Sequence, residues 1–405
     1  MMIALTAFGG DKPRRTKDAV TGEWHITQVN KFLDAENLVL LVKDASFIAI
    51  MAVGMTAVIV MGGIDLSVGS IYALSALIGG LFLRYNWSNG PPNLAIGGHS
   101  AMPWVLIGAA LLMGLGARGA LQAGATRPSK AWSFQAGGFA LTAAACAAVL
   151  WTMGAEIIAV RDGPGGGEGA SLAMSLFVGV GACCLTGAAC GLINGSLIVG
   201  LNVHPFIITL GTMAVLRGVA FVLTQGLPVS GFPESFTSGF FKAQIWGVYP
   251  VPVMVMIAVA AAGAFVLRRA VLGRRTYAIG GNETAARYAG VPVGRTKIIM
   301  YTVMGMLAGL SAAVYLGYLG AASSDAGQGY ELSVIAAAVI GGASLSGGRG
   351  SAVGAVLGAI LIQLINNAMI ILDIDTNYTN IVMGAAIVVA VVLDQTKSRL
   401  LPGGN

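Results

Sequence analysis

Three side chains of this sequence sit where polar chemistry has to work in an apolar setting: Asp65, Asn194 and Arg217. Asp65 lies in GGIDLSVGS (62–70), a string of glycines and hydroxyl residues between two apolar runs. Such a string lets a helix break, and freed backbone groups are tolerated at membrane depth only when buried in protein or lining a cavity. Gly62, Gly63, Asp65 and Ser67 therefore read in one of two ways. Either they belong to a solute path, with Asp65 and Ser67 offering hydrogen bonds, or they make a tight turn in which Asp65 caps the following helix. Asn194, within GLING (191–195), either bonds across helices or contacts a hydroxylated solute, and Asn366, beside Asn367 near the end of another run, poses the same choice. Arg217 lies midway along PFIITLGTMAVLRGVAFVLTQG (205–226), where an arginine facing lipid costs about 2.5–3.5 kcal/mol. It needs protein or water and a partner. Asp65 and Glu331 are the acids near apolar runs, and an ion pair is the expected role, ahead of contact with solute.

Nothing in the sequence has the pattern of a catalytic or metal centre. His25, His99 and His204 fall in the polar N-terminal segment, an outer loop and a helix start, none beside a nucleophilic serine or a second ligand. Cys146, Cys183, Cys184 and Cys190 lie in apolar runs without metal-ligand spacing and read as small buried hydrophobes. HExxH and CxxC do not occur. SGGRGS (346–351) lacks the lysine of a phosphate loop, so any ATP hydrolysis belongs to a separate ATPase chain, which would hold the ATP–Mg; this chain is expected to bind no cofactor.

The elements that must position these residues are membrane helices. The chain is 56% hydrophobic and 10% charged, against roughly 25% charged in a soluble domain. Eleven apolar segments follow the polar residues 1–37: about 38–61, 66–84, 101–117, 133–160, 171–199, 204–225, 250–268, 298–320, 331–346, 351–372 and 378–394. Most approach the ~20 residues that cross a bilayer as helix, and none alternates as a strand would. The expected fold is an all-α polytopic bundle of about 10–12 spans. The 59 glycines, spread through the apolar runs, suit close-packed and broken helices. MGGIDLSVGS (61–70) and IGGASLSGGRGS (340–351) share the frame GG-x-[D/S]-LS-x-G, each followed by an apolar run. The repeat suggests duplicated halves, and it places Ser344 beside Asp65 as a pathway candidate.

Charge sets an orientation and not a nucleic-acid partner. The net charge of +6 comes from loop Lys and Arg. Placing 117–132, 268–297, 346–350 and the tail 396–405 on one side gathers thirteen of them there, and the opposite loops hold three: Arg84, Arg161 and Lys242. The positive-inside rule makes the first side, and the C-terminus, cytoplasmic. That alternation leaves the basic residues of 9–31 on the outer side.

The longest polar run of the second half, GRRTYAIGGNETAARYAGVPVGRTK (273–297), carries a short helix with both punctuation marks. Asn282 is a good N-cap, Glu283 is an acid in the first turn, and Gly290 followed by Pro292 ends it. Glu283 and Arg287 stand four residues apart and can pair. Ala285 and Ala286 give the helix a low face suited to a groove on a partner. E-T-A-A-x3-G over Glu283–Gly290 resembles the EAA-x3-G loop of ABC importer permeases, and YAIGGNETAARYAGV resembles the ribose/xylose-type sugar permeases in particular. GGIDLSVGS and PFI-x-TLGTM-x3-RG are similar to segments of the same family.

The resemblance covers about 38–84 and 171–394, treats 100–170 as an insertion, and makes 38–395 one permease domain. It implies the membrane subunit of a bacterial inner-membrane importer of a monosaccharide, most readily a pentose such as xylose or ribose. It further implies an ABC ATPase docked on 268–297, a periplasmic sugar-binding protein, a second permease copy, surrounding lipid, and alternating access. The rival is an ion-coupled secondary transporter of a small polar solute, with an intramembrane acid as its ion site.

Overall fold

A computed structural model describes residues 10–17, 24–84, 95–96, 99–100, 172–245, 247–374 and scattered positions from 378 to 392. The insertion, the apolar runs 101–117 and 133–160 within it, Cys146, most of the last run and the tail lie outside the described residues. Up to residue 374 the described α-helices are α1 (Ala35–Val60), α2 (Val68–Arg84), α3 (Leu172–Leu201), α4 (Pro205–Thr224), α5 (Pro250–Arg269), α6 (Val271–Gly281), α7 (Glu283–Tyr288), α8 (Val293–Leu319), α9 (Tyr330–Ile340) and α10 (Ala352–Ile371). Six are long and apolar enough to cross a membrane, and α2 and α9 are shorter apolar helices. The chain is thus an all-α, multi-pass bundle. Large apolar side chains such as Phe177, Val222 and Phe265 lie exposed on its flank, as lipid solvation allows.

The sequence supplies the ends of these helices. His204 accepts from the Phe206 amide ahead of Pro205 in α4, and Ser351 accepts from the Gly354 amide in α10. Between α3 and α8 the packing is backbone to backbone. Side chains added at Gly187 or Gly191 would come within 2.1 Å of the Gly305 or Tyr301 carbonyl, and one at Gly309 within 2.1 Å of the Cys183 carbonyl. Glycines four apart on both helices permit that approach.

The loops sort into two ends. The break 61–67, the α3–α4 turn, α6–α7 and the 341–351 turn meet at one end. The Gly348 amide donates to the Val60 carbonyl there, at 2.9 Å. At the other end Asn37 and Asn367 exchange side-chain hydrogen bonds of 3.1 and 2.7 Å, and strands 229–230 and 321–322 pair. The basic loop and its expected companion 346–350 therefore share an end, together with 61–66 and 199–204; 117–132 and the tail lie outside the described residues.

Three features lie beyond the expectations from sequence. Residues 11–17 and 24–30, within the segment read as polar, form an antiparallel hairpin. The repeat frame slips by one residue at the helix ends. Gly62 (φ 78°) and Gly342 (φ 93°) are the equivalent left-handed positions, each donating to the carbonyl three residues back, whereas the sequence frame pairs Gly62 with Gly341. The hydrogen-bonded helix stop fixes the equivalence, and the polar letters after it do not. The loop 320–329, which the charge alternation puts on the side opposite the basic loop, folds back into the bundle. Gly327 packs on Gly69 and Tyr72 in the first turns of α2, about 22 Å along the axis from Arg84.

Candidate functional site

The break after α1 holds a polar knot. Asp65 Oδ1 accepts from the Ser67 amide (2.9 Å) and the Ser67 hydroxyl (2.6 Å), an Asx turn that starts α2. Asn194 Nδ2 reaches across from α3 to donate to Ser67 Oγ at 2.8 Å. All three residues are buried. Both open readings of Asp65 keep support, since it caps the turn and also leaves Oδ2 without a partner. Asn194 Oδ1 and the Tyr301 hydroxyl are likewise buried without partners. Tyr301, on α8, was not singled out from sequence. Its hydroxyl lies 2.6 Å from where a side chain at Gly63 would begin, so Gly63 is the only residue that fits beneath it.

Below Gly63 and Tyr301 opens a cavity of about 660 Å³, whose lining also includes Asn202, His204, Glu283 and Arg287. It joins the break to the basic loop. Ser344 and Asn366 do not join the knot: the Ser344 amide bonds to the Arg349 carbonyl in the opposite turn, and Asn366 contacts Gln363 at 3.5 Å on α10.

Helix α7 has the ends that its sequence implies. Asn282 Oδ1 accepts from the Ala285 amide at 2.9 Å, and Gly290 (φ 78°) closes the stop, with the Val291 amide on the Ala286 carbonyl at 3.0 Å. Glu283 pairs with Arg287 (3.2 Å) and also with Lys297 (2.8 Å), which ties α7 to the first turn of α8. Partial burial pushes the Glu283 carboxyl up, but Lys297 and then Arg287 hold it below the usual carboxylate range. With a lowered folded pKa, both pairs persist through neutral pH and are lost only as pH falls through that value. The two alanines divide: Ala286 is buried in the chain itself, and Ala285 is exposed. Ala286 is therefore turned away from the surface, where Ala285 and Tyr288, the latter 88% exposed, stand instead.

One stop above, α6 threads a gap with no room for a side chain. An added Cβ at Gly280 would lie 1.6 Å from the Val60 carbonyl and 2.6 Å from the Gly348 amide, and the Tyr277 hydroxyl donates to the Gly350 carbonyl at 2.7 Å. The basic loop thus rests directly on both glycine breaks.

Arg217 corrects its expectation. No ion pair within 4 Å involves it among the described residues; Nη1 donates instead to the Ser324 and Ala326 carbonyls at 2.8 and 2.9 Å. The infolded 320–329 segment presents carbonyls that no helix uses, and the guanidinium satisfies them, with Glu331 and Asp325 in charge range. Sequence reading also passed over Lys43 and Asp44 inside the first apolar run, where two adjacent charges were signal enough. They pair at 2.6 Å, with the ammonium 4.0 Å from the Tyr318 ring centroid.

The knot predicts a clean separation of charge from shape. Asp65→Ala leaves a buried donor unsatisfied, at about 1–3 kcal/mol, and should lower folded yield as well as transport. Asp65→Asn keeps an acceptor for Ser67, so normal yield with depressed transport would assign the carboxylate to function, and normal transport would assign it to the turn.

The chain is 42% identical over 53% of its length to the D-allose transport system permease protein AlsC of Escherichia coli K12, covering 65% of that protein. It is 41% identical to the ribose import permease protein RbsC of Bacillus subtilis, over 51% of this chain and 64% of that one. For the ribose import permease RbsC of Escherichia coli K12 the figures are 40% identity, 55% and 70%. The chain thus spans just under two thirds of the first two relatives. No solved structure matches it. Residues 127–391 match the family model described as branched-chain amino acid transport system, permease component, and the chain belongs to that permease family.

Proposed function

We propose that the chain is the membrane subunit of an ATP-driven inner-membrane importer for a monosaccharide, a pentose such as ribose or xylose or a hexose such as allose. It would work as two permease copies with a cytoplasmic ABC ATPase docked on α6–α7 and a periplasmic sugar-binding protein above. The observation that carries this is the seating of the basic loop: a capped, charge-tied helix whose neighbour α6 bears on Val60 and Gly348, the backbone of both breaks. A push on α7 by a closing ATPase would reach those breaks without passing through flexible side chains. ATPase closure shifts the bundle only if docking differs in energy between its two states, which supports alternating access as the working mode. The relatives, permeases for allose and ribose, support the sugar class.

The test reconstitutes the chain with its ATPase and binding protein in liposomes and follows labelled ribose, xylose and allose. Uptake should require ATP and all three components. Uptake by the chain alone, driven by an ion gradient, would instead establish the secondary-transporter reading.

A further inference from the structure

Charged and aromatic side chains gather at a second level of the bundle, on the far side of the knot from the cavity. The Glu331 carboxylate overlies Gly69, 2.6 Å from where a side chain there would begin. The Tyr72 ring lies 5.4 Å from both Tyr315 and Tyr330, and its buried hydroxyl has no partner. Asp44 is in charge range of Tyr72 and Tyr330, and Arg217 approaches from α4. Tyr315, Tyr330, Glu331 and Arg217 are only partly buried, so their edges reach the surface of this chain.

That surface does not suit lipid. Each ionised group facing hydrocarbon would cost about 2.5–3.5 kcal/mol, and two stand on one small face at the level of the first turns of α2. Water or protein must cover it. The half-length helix α9 (11 residues) starts here with its N-terminus, an arrangement that in transporters meets the solute near the membrane midplane.

We propose that Tyr315, Tyr330, Glu331 and Arg217, backed by Tyr72 and Asp44, form a solute site in an aqueous passage, built for a neutral polyhydroxylated ring. The tyrosine faces take the C–H face of the ring, Glu331 accepts from hydroxyls, Arg217 donates, and Tyr72 brings an unspent hydroxyl. Lys43 offsets Asp44 at 2.6 Å and Arg217 stands against Glu331, so the site gives an anion such as a phosphorylated sugar no excess of positive charge. The site rests on the reading of the chain as a sugar permease and adds residues to it that the knot does not contain.

In membrane vesicles of both orientations carrying the complete importer, Glu331→Cys should gain labelling by an impermeant methanethiosulfonate over the parent from at least one side. D-ribose, D-xylose or D-allose, whichever the parent imports, should slow that labelling. Uptake should fall about tenfold in Glu331→Gln, the equivalent of one charged hydrogen bond, and more in Tyr330→Ala than in Tyr330→Phe. No labelling from either side overturns the site, as does labelling that an imported sugar leaves unchanged. A parent that imports none of the three overturns the sugar reading and with it the ligand class, while a dry Glu331→Cys overturns the passage itself.

Discussion

Gly280→Ala should abolish transport and lower folded yield, although it adds one methyl group to a residue outside every candidate pathway. The new Cβ would stand 1.6 Å from the Val60 carbonyl, with the Gly348 amide 2.6 Å away. Both obstacles are backbone, so no side chain can swing aside, and α6 must lift from the breaks. Overpacking of this kind costs roughly 1–3 kcal/mol, occasionally more. Lifting α6 also endangers the Gly348–Val60 hydrogen bond, worth about 1 kcal/mol. Tyr277→Phe is the companion variant: it removes the bond to Gly350 and changes no backbone distance, so its stability loss should stay near 0.5–1.5 kcal/mol. Thermal unfolding in detergent and uptake, measured on both, check the pair. Gly280→Ala with parental melting and uptake would mean that the loop is not seated on the breaks.

What the sequence makes legible here is local, and what it hides is tertiary. The apolar runs locate the described spans to within a few residues, because length and hydropathy are properties of the run itself. Asn282, Glu283 and Gly290 announce the ends of α7 for the same reason: a cap and a left-handed stop are made by the residues that carry them. Arg217 is different. Its partners are the carbonyls of Ser324 and Ala326, which every residue possesses, so no side-chain type could mark them. The infolding of 320–329 depends on Gly327 meeting Gly69, a contact between residues more than 250 positions apart in a chain full of glycine. The polar knot falls between these cases. Asp65 and Ser67 are visible as one motif and Asn194 as another, but their union needs α2 and α3 side by side, and Tyr301 enters only because Gly63 leaves it room.

The face of α7 is the consequential misreading, and it changes which variants test coupling to an ATPase. A six-residue helix with adjacent alanines offers no periodicity from which to choose its inner side. The structure turns Ala286 into the chain and leaves Ala285 and Tyr288 outside. Ala286→Glu would bury a carboxylate against the chain's own core, so a loss of uptake there would accompany a loss of folded protein and say little about docking. Tyr288→Asp and Ala285→Glu place their charge on the outer face and should insert and purify like the parent. If that face enters a groove on an ATPase, each buries an unpaired charge at the interface, at about 2–5 kcal/mol of docking, which weakens the affinity roughly thirtyfold or more. Sugar-stimulated ATP hydrolysis and uptake should then fall together to background while thermal stability of the isolated permease holds. Arg287→Ala, which removes one exposed pair and leaves Lys297 on Glu283, should have a small effect on both. Parental uptake in Tyr288→Asp and Ala285→Glu would make α7 a solvated loop and remove the ATPase from this face.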